Sequence, residues 1–169
     1  MDSGTFWFSP TPESISSAWG ATLNRICSWV VLRDKGQGRK LKIYNAHLDH
    51  ESELSRQNSI LMLQERLKED GRRGIYAIVL GDFNKTFSGE QLHSSLFPGW
   101  SEAGLLAERV LTDQGTYHDF GRKLGAAPRI DYVFVPDGSR VERYEVVTVQ
   151  MRGGLFPSDH FPVRVRLFW

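Results

Sequence analysis

Apolar and polar residues along this chain fall into several short strand patterns and one long helical one. Over 161–168, Phe161, Val163, Val165 and Leu167 alternate with Pro162, Arg164, Arg166 and Phe168. That period of two is the mark of a strand with one buried face. Ile75-Tyr76-Ala77-Ile78-Val79-Leu80 is a continuous apolar run, as expected of a strand covered on both faces. Residues 26–33 and 41–47 read as strands joined by the loop Asp34-Lys35-Gly36-Gln37-Gly38, a Gly-containing hairpin connection. Further strands are expected over 130–135 and 144–151. Over 51–68 the period becomes helical: Ile60, Leu63 and Leu67 share one face. Asp49, Glu51 and Glu53 suit the positive end of that helix, and Gly71 supplies a stop. A short helix is expected within 88–97, and 108–128 has no clear period and reads as loop. The pattern is mixed α/β with more strand than helix, in a single domain spanning 1–169.

Composition narrows the partners. Lys and Arg number 21 against 20 Asp and Glu, so no bulk positive field advertises nucleic acid. Cys27 is the sole cysteine, which excludes an intrachain disulfide and a multi-cysteine zinc site and favours a reducing, cytoplasmic setting. No run is long and apolar enough to span a bilayer, and the first residues lack the pattern of a signal peptide. His50 and His93 lack the spacing of a metal-binding pair and receive no role.

Three polar clusters follow apolar strands. Asn45, His47 and Asp49 fall on one side of an extended strand, as do Asp82 and Asn84 just past the buried run. Ligands of open α/β sheets gather at the carboxyl ends of strands. Taken alone, Gly81-Asp82-Phe83-Asn84 reads first as a plain tight turn, and a lone His47 as a hydrogen-bonded structural residue. Asp131 interrupts an apolar strand, where an unpaired carboxylate would cost several kcal/mol. It needs a partner: His160, whose ring it would orient, or a salt bridge to Arg129 or Arg143. In the weakly patterned stretch, Tyr117, His118 and Phe120 precede Arg122 and Lys123. Aromatics there could stack a base and cations hold phosphate, or the segment is an ordinary solvated loop.

Taken in order, Asn45-Ala46-His47-Leu48-Asp49-His50, Gly81-Asp82-Phe83-Asn84, Arg129-Ile130-Asp131-Tyr132 and Ser158-Asp159-His160-Phe161-Pro162-Val163 resemble the endonuclease/exonuclease/phosphatase superfamily, the DNase I-like fold. Thr5-Phe6-Trp7-Phe8-Ser9-Pro10-Thr11-Pro12 and Gly115-Thr116-Tyr117-His118-Asp119-Phe120 are similar to a microbial branch of it. The resemblance implies a four-layer α/β/β/α sandwich and Mg²⁺- or Mn²⁺-dependent hydrolysis of a phosphodiester or phosphomonoester, nucleic acid being one candidate substrate. It also implies roles. Asp82 and Asn84 would orient water and phosphate, and His47 would stabilise charge on the phosphoryl oxygens. Asp159 would sit at the metal, and His160, held by Asp131, would serve as general base, with Asp82 the other candidate to take the water's proton. Asn45, Tyr117 and His118 would bind substrate. Relatives of this kind begin with a further segment carrying a metal-binding Glu. This chain is therefore expected to be a partial sandwich lacking its N-terminal part, with weakened metal affinity and exposed sheet surface prone to self-association. Its alternative role is that of an inactive family member serving as a binding module.

Overall fold

The computed structural model describes residues 2–169. Strands β1 (Asp2–Trp7), β2 (Ile26–Arg33) and β3 (Lys40–His47) form an antiparallel meander. Helix α1 (Glu53–Arg72) then returns the chain to β4 (Tyr76–Asp82), which lies parallel to β3; a parallel return needs a crossover of this length. Helix α2 (Gly89–Leu92) leads into β5 (His93–Phe97) and β6 (Trp100–Glu102). After α3 (Ala103–Leu106) come β7 (Ala107–Thr112), β8 (Asp131–Pro136), β9 (Arg140–Val146) and β10 (Val163–Phe168). Among the described residues, seven strands in the order β1-β2-β3-β4-β8-β6-β5 form one sheet, and β10-β9-β7 form a second.

Alternation along the central strands sorts the core into two slabs. Ala77 and Val79 of β4 and Tyr132 and Phe134 of β8 pack with Ile60, Leu63 and Leu67 of α1. Their neighbours Ile78, Val133 and Val135 face the second sheet, packing with Val141, Tyr144, Val146 and Phe161. The period-two rule thus explains why the run before Gly81 is apolar throughout: both faces are covered. Phe83 centres the helix-side slab, fully buried, with Phe87, Phe97, Tyr132 and Phe134 around it at centroid distances of 5.4–6.2 Å. Phe83→Ala is expected to lower unfolding free energy by about 3–5 kcal/mol in a urea melt, the usual cost of such a cavity.

The layers are therefore helix, large sheet and small sheet. The outer face of the small sheet carries exposed Arg164, Arg166 and Phe168, so three layers of the expected sandwich are built from the described residues. Several expected bounds move. The helix runs to Arg72, capped by Ser52, whose side chain accepts the Ser55 N–H; Gly71 lies inside it rather than ending it. Only 89–92 of the expected short helix is helical, because Phe97 is drawn into the core and β5 pairs with β6. The expected strand over 144–151 is instead Arg140–Val146. The chain leaves β10's flank after Val147, whose N–H bonds Pro162 O. Within 108–128, Ala107–Thr112 is a strand, parallel to β9. It is an edge strand with little burial, including exposed Val110 and Leu111, so no face imposed a hydrophobic period.

Candidate active site

Strand register alone places three of the expected residues in a row. His47 pairs with Asp82 across β3 and β4, and Asp82 pairs with Asp131 across β4 and β8. Gly81 permits this approach: its φ is +135°, and a Cβ there would lie 1.9 Å from Ala46 O. Beyond the strand, Asn84 adopts φ +50°, a conformation Asn tolerates. Its N–H bonds Asp82 Oδ1 at 2.8 Å and its Nδ2 donates to Leu48 O at 3.0 Å. The segment before β10 brings His160 onto this rim, bridged to Tyr117. Together these residues line a cleft of about 610 Å³, with Asp159 on its wall.

His160 Nδ1 lies 2.7 Å from Asp131 Oδ2. The carboxylate accepts from the ring, so in the neutral imidazole the proton sits on Nδ1 and Nε2 carries the lone pair of a base. That Nε2 is 3.9 Å from Asp82 Oδ2. The bond to Asp131 raises the His160 pKa, against burial, which lowers it. Burial, then the charge of Asp131, raises Asp82, opposed by the Asn84 N–H and the two imidazoles. His47 moves the other way: burial and then Arg25 lower it, despite Asp82 at 3.3 Å. Opposed shifts in neighbouring groups are characteristic of sites that handle protons.

Arg25 completes the polar rim. Its Nη1 lies 2.9 Å from His47 Nε2 and its Nη2 lies 2.8 Å from His50 Nδ1. Its Nε is 3.7 Å from Asp49 Oδ2. Asp49 itself is fully buried and accepts from Thr22 N and Oγ1, Glu51 N and Ser52 N. Burial pushes its carboxyl up, but these bonds outweigh burial and hold it at about 2.

The cleft thus gathers His47, Asp82, Asn84, Asp131, Asp159, His160 and Tyr117. Two expected substrate-binding residues are not among them. Asn45 is exposed on β3, about two strand residues short of the rim. His118 is buried, stacked on Phe161 at 3.9 Å and near Phe156 at 4.5 Å, with Nδ1 accepting from Gly121 N–H. It staples the Tyr117 loop to the segment preceding β10 and does not reach the cleft. Asp49, expected beside His47, has turned inward to fix loops. Arg25 and His50 line the cleft without having been assigned a role from sequence. The hairpin offered the signal: Arg33 pairs with Lys40, and counting back along both strands sets Arg25 opposite Leu48, beside His47.

Asp82, Asp131 and His160 each offer a ligand atom, all within 4.8 Å of one another. Asp131 and the imidazole already satisfy each other, which leaves Asp82 Oδ2, beside His47 at 3.3 Å, and Asp159 as the other carboxylates lining the cleft. A hard divalent cation prefers such oxygen ligands, so the donor set fits one.

This order of strands and this rim have counterparts among known proteins. The profile of the endonuclease/exonuclease/phosphatase family matches residues 3–160, and the chain belongs to that family. It is similar to a mannosyl-6-phosphatase of Bacteroides thetaiotaomicron, at 33% identity and a TM-score of 0.88, covering 99% of this chain and 66% of that one. A family protein of Bacteroides vulgatus is 32% identical with a TM-score of 0.86, covering 99% and 65%. A truncated Caenorhabditis elegans TDP2, at 18% identity and a TM-score of 0.73, covers 100% and 66% and shares the fold. The chain spans about two thirds of the length of these structures. No curated protein sequence matches it. Among the described residues no helix is long and apolar enough to cross a membrane.

Proposed function

We propose that the chain hydrolyses a phosphate ester by water attack on phosphorus, with Mg²⁺ or Mn²⁺ as cofactor. The observation that carries this reading is the Asp131–His160 pair, with its free Nε2 facing Asp82 across 3.9 Å. One water can hydrogen-bond to both groups, and His160 is the base that takes its proton. Asp82 orients that water, and Asp131 fixes the tautomer of the base. Asn84, with one N–H beyond its bond to Leu48, and the Arg25–His47 corner face the phosphoryl oxygens, where charge develops. Asp159 and Asp82 would hold the cation, which when bound lowers the pKa of water and offsets phosphoryl charge.

The 33% identical mannosyl-6-phosphatase supports a phosphomonoester over a nucleic acid. Tyr117 and Ile130 give the cleft a partly apolar wall for the leaving group, and its volume is within the range of small-molecule sites. Manganese-dependent release of nitrophenol from p-nitrophenyl phosphate is the expected result, abolished by EDTA and restored by added metal. A bis(p-nitrophenyl) phosphate and a labelled single-stranded DNA tested in parallel separate monoester from diester specificity. Binding of inorganic phosphate with no metal-dependent turnover of any of the three would replace this reading by that of a binding module.

A further inference from the structure

Arg25 bonds one imidazole through each Nη at the rim of the cleft, and these partners have a consequence for proton placement. A guanidinium carries only donors. With Nη1 at 2.9 Å from His47 Nε2, that nitrogen must present a lone pair. With Nη2 at 2.8 Å from His50 Nδ1, the same holds there. A neutral imidazole has one proton, so His47 carries it on Nδ1 and His50 on Nε2. The second assignment is independently sensible, because His50 Nε2 faces the acceptor Glu51 Oε1 at 3.5 Å. For His47 it is not the default. Its Nε2 is also 3.3 Å from Asp82 Oδ2, an acceptor that would demand the opposite tautomer.

What decides the contest is the anchoring of Arg25. Its side chain is 11% exposed, its Nε has no hydrogen bond, and the fully buried Asp49 lies 3.7 Å behind it. Asp49 cannot move, since Thr22, Glu51 and Ser52 hold both of its oxygens. We infer that Asp49 and Arg25 are positioning residues, forming a clamp that fixes His47 as the Nδ1-protonated tautomer. His47 Nε2 is then an anchor for Arg25 and donates nothing to a phosphoryl oxygen. The donors at that corner are the remaining N–H on each Nη of Arg25. Without the Asp49 charge, the guanidinium loses its buried counter-ion and is drawn to Asp82.

The catalytic consequence rests on the phosphoesterase reading, but the tautomers are read without turnover. Long-range ¹H–¹⁵N spectra of the ¹⁵N-labelled full chain at mildly alkaline pH should show His47 protonated on Nδ1 and His50 on Nε2. Magic-angle-spinning spectra of sedimented protein give the same reading if the chain associates. Arg25→Lys should return His47 to the Nε2-protonated form, because one ammonium cannot engage both rings and Asp49. Asp49→Asn should shift His47 the same way in a chain whose amide spectrum remains folded. Should the asparagine variant fail to fold, Arg25→Lys alone decides. An Nε2-protonated His47 in the unmodified chain overturns the inference, as does a tautomer that neither substitution moves. If Asp49 merely braces the loop before α1, its loss lowers the melting temperature and leaves the imidazole spectra unchanged. Absence of hydrolysis alongside the expected tautomers would sink the phosphoesterase reading and leave the clamp standing.

Discussion

His160→Ala is expected to lower metal-dependent turnover of p-nitrophenyl phosphate about 10²–10⁴-fold, the usual contribution of a general base, with the far-UV circular dichroism unchanged. Retention of more than about a tenth of the rate would remove His160 from the mechanism. The pH dependence has a definite sign. A base must be neutral to act, and Asp131 raises the His160 pKa above its ordinary value of 6.5. The rising limb of the rate profile therefore lies above pH 6.5. Asp131→Asn should move that limb to lower pH while lowering the plateau, since the base is weaker and its tautomer unfixed. Stability follows the opposite course. The folded pKa is raised, so the contribution of the protonated pair is fully present below 6.5 and fades as pH rises through the folded value. The proposed hydrolysis should be fastest where this particular contact stabilises the chain least.

Gly81→Ala should lower stability by about 3–5 kcal/mol in chemical denaturation. Two costs combine. The backbone at φ +135° is one that side chains rarely adopt, and the added carbon would sit 1.9 Å from Ala46 O. The atom in the way is strand backbone, which cannot swing aside without breaking the pairing of β3 and β4. Asp82 is the next residue, so activity should fall with the fold. Gly74→Ala is the control: its φ of +64° is also unfavourable, yet nothing lies within 4 Å of the new carbon, and about 1 kcal/mol is expected. Equal losses in the two variants would show that close approach at Gly81 is unimportant.

The Asp131–His160 contact was legible in sequence because a carboxylate inside an apolar strand has few ways to be satisfied. Of the competing partners, Arg129 turns instead to the buried Glu102 and to Asp113. Asp82 and Asn84 were legible because a doubly covered strand must end in the turn that carries them. His118 was misjudged. It neighbours Tyr117 where the chain turns into the short helical turn Asp119–Gly121, and the turn sends its ring onto Phe161 while Tyr117 lines the cleft. Asn45 was misjudged through distance, lying on the right face of β3 but short of the rim. Arg25 carried no local signal, because no pattern marks a residue at a strand's entrance; only the hairpin register, counted back from its loop, sets it beside His47. Strand β7 was missed for lack of burial, since period arises only where one face must exclude water.

The rim joins Arg25, near the beginning of the chain, to His160, near its end, through strands whose neighbours in space are distant in sequence. Such contacts form late, because loop closure must precede any reward from pairing. The cleft therefore exists only once nearly the whole chain has condensed, and no proteolytic piece retaining one motif should keep it. An anion that bound between Arg25 and His160 would tie these distant positions together, so its occupancy would report that residues 25–160 are folded as one.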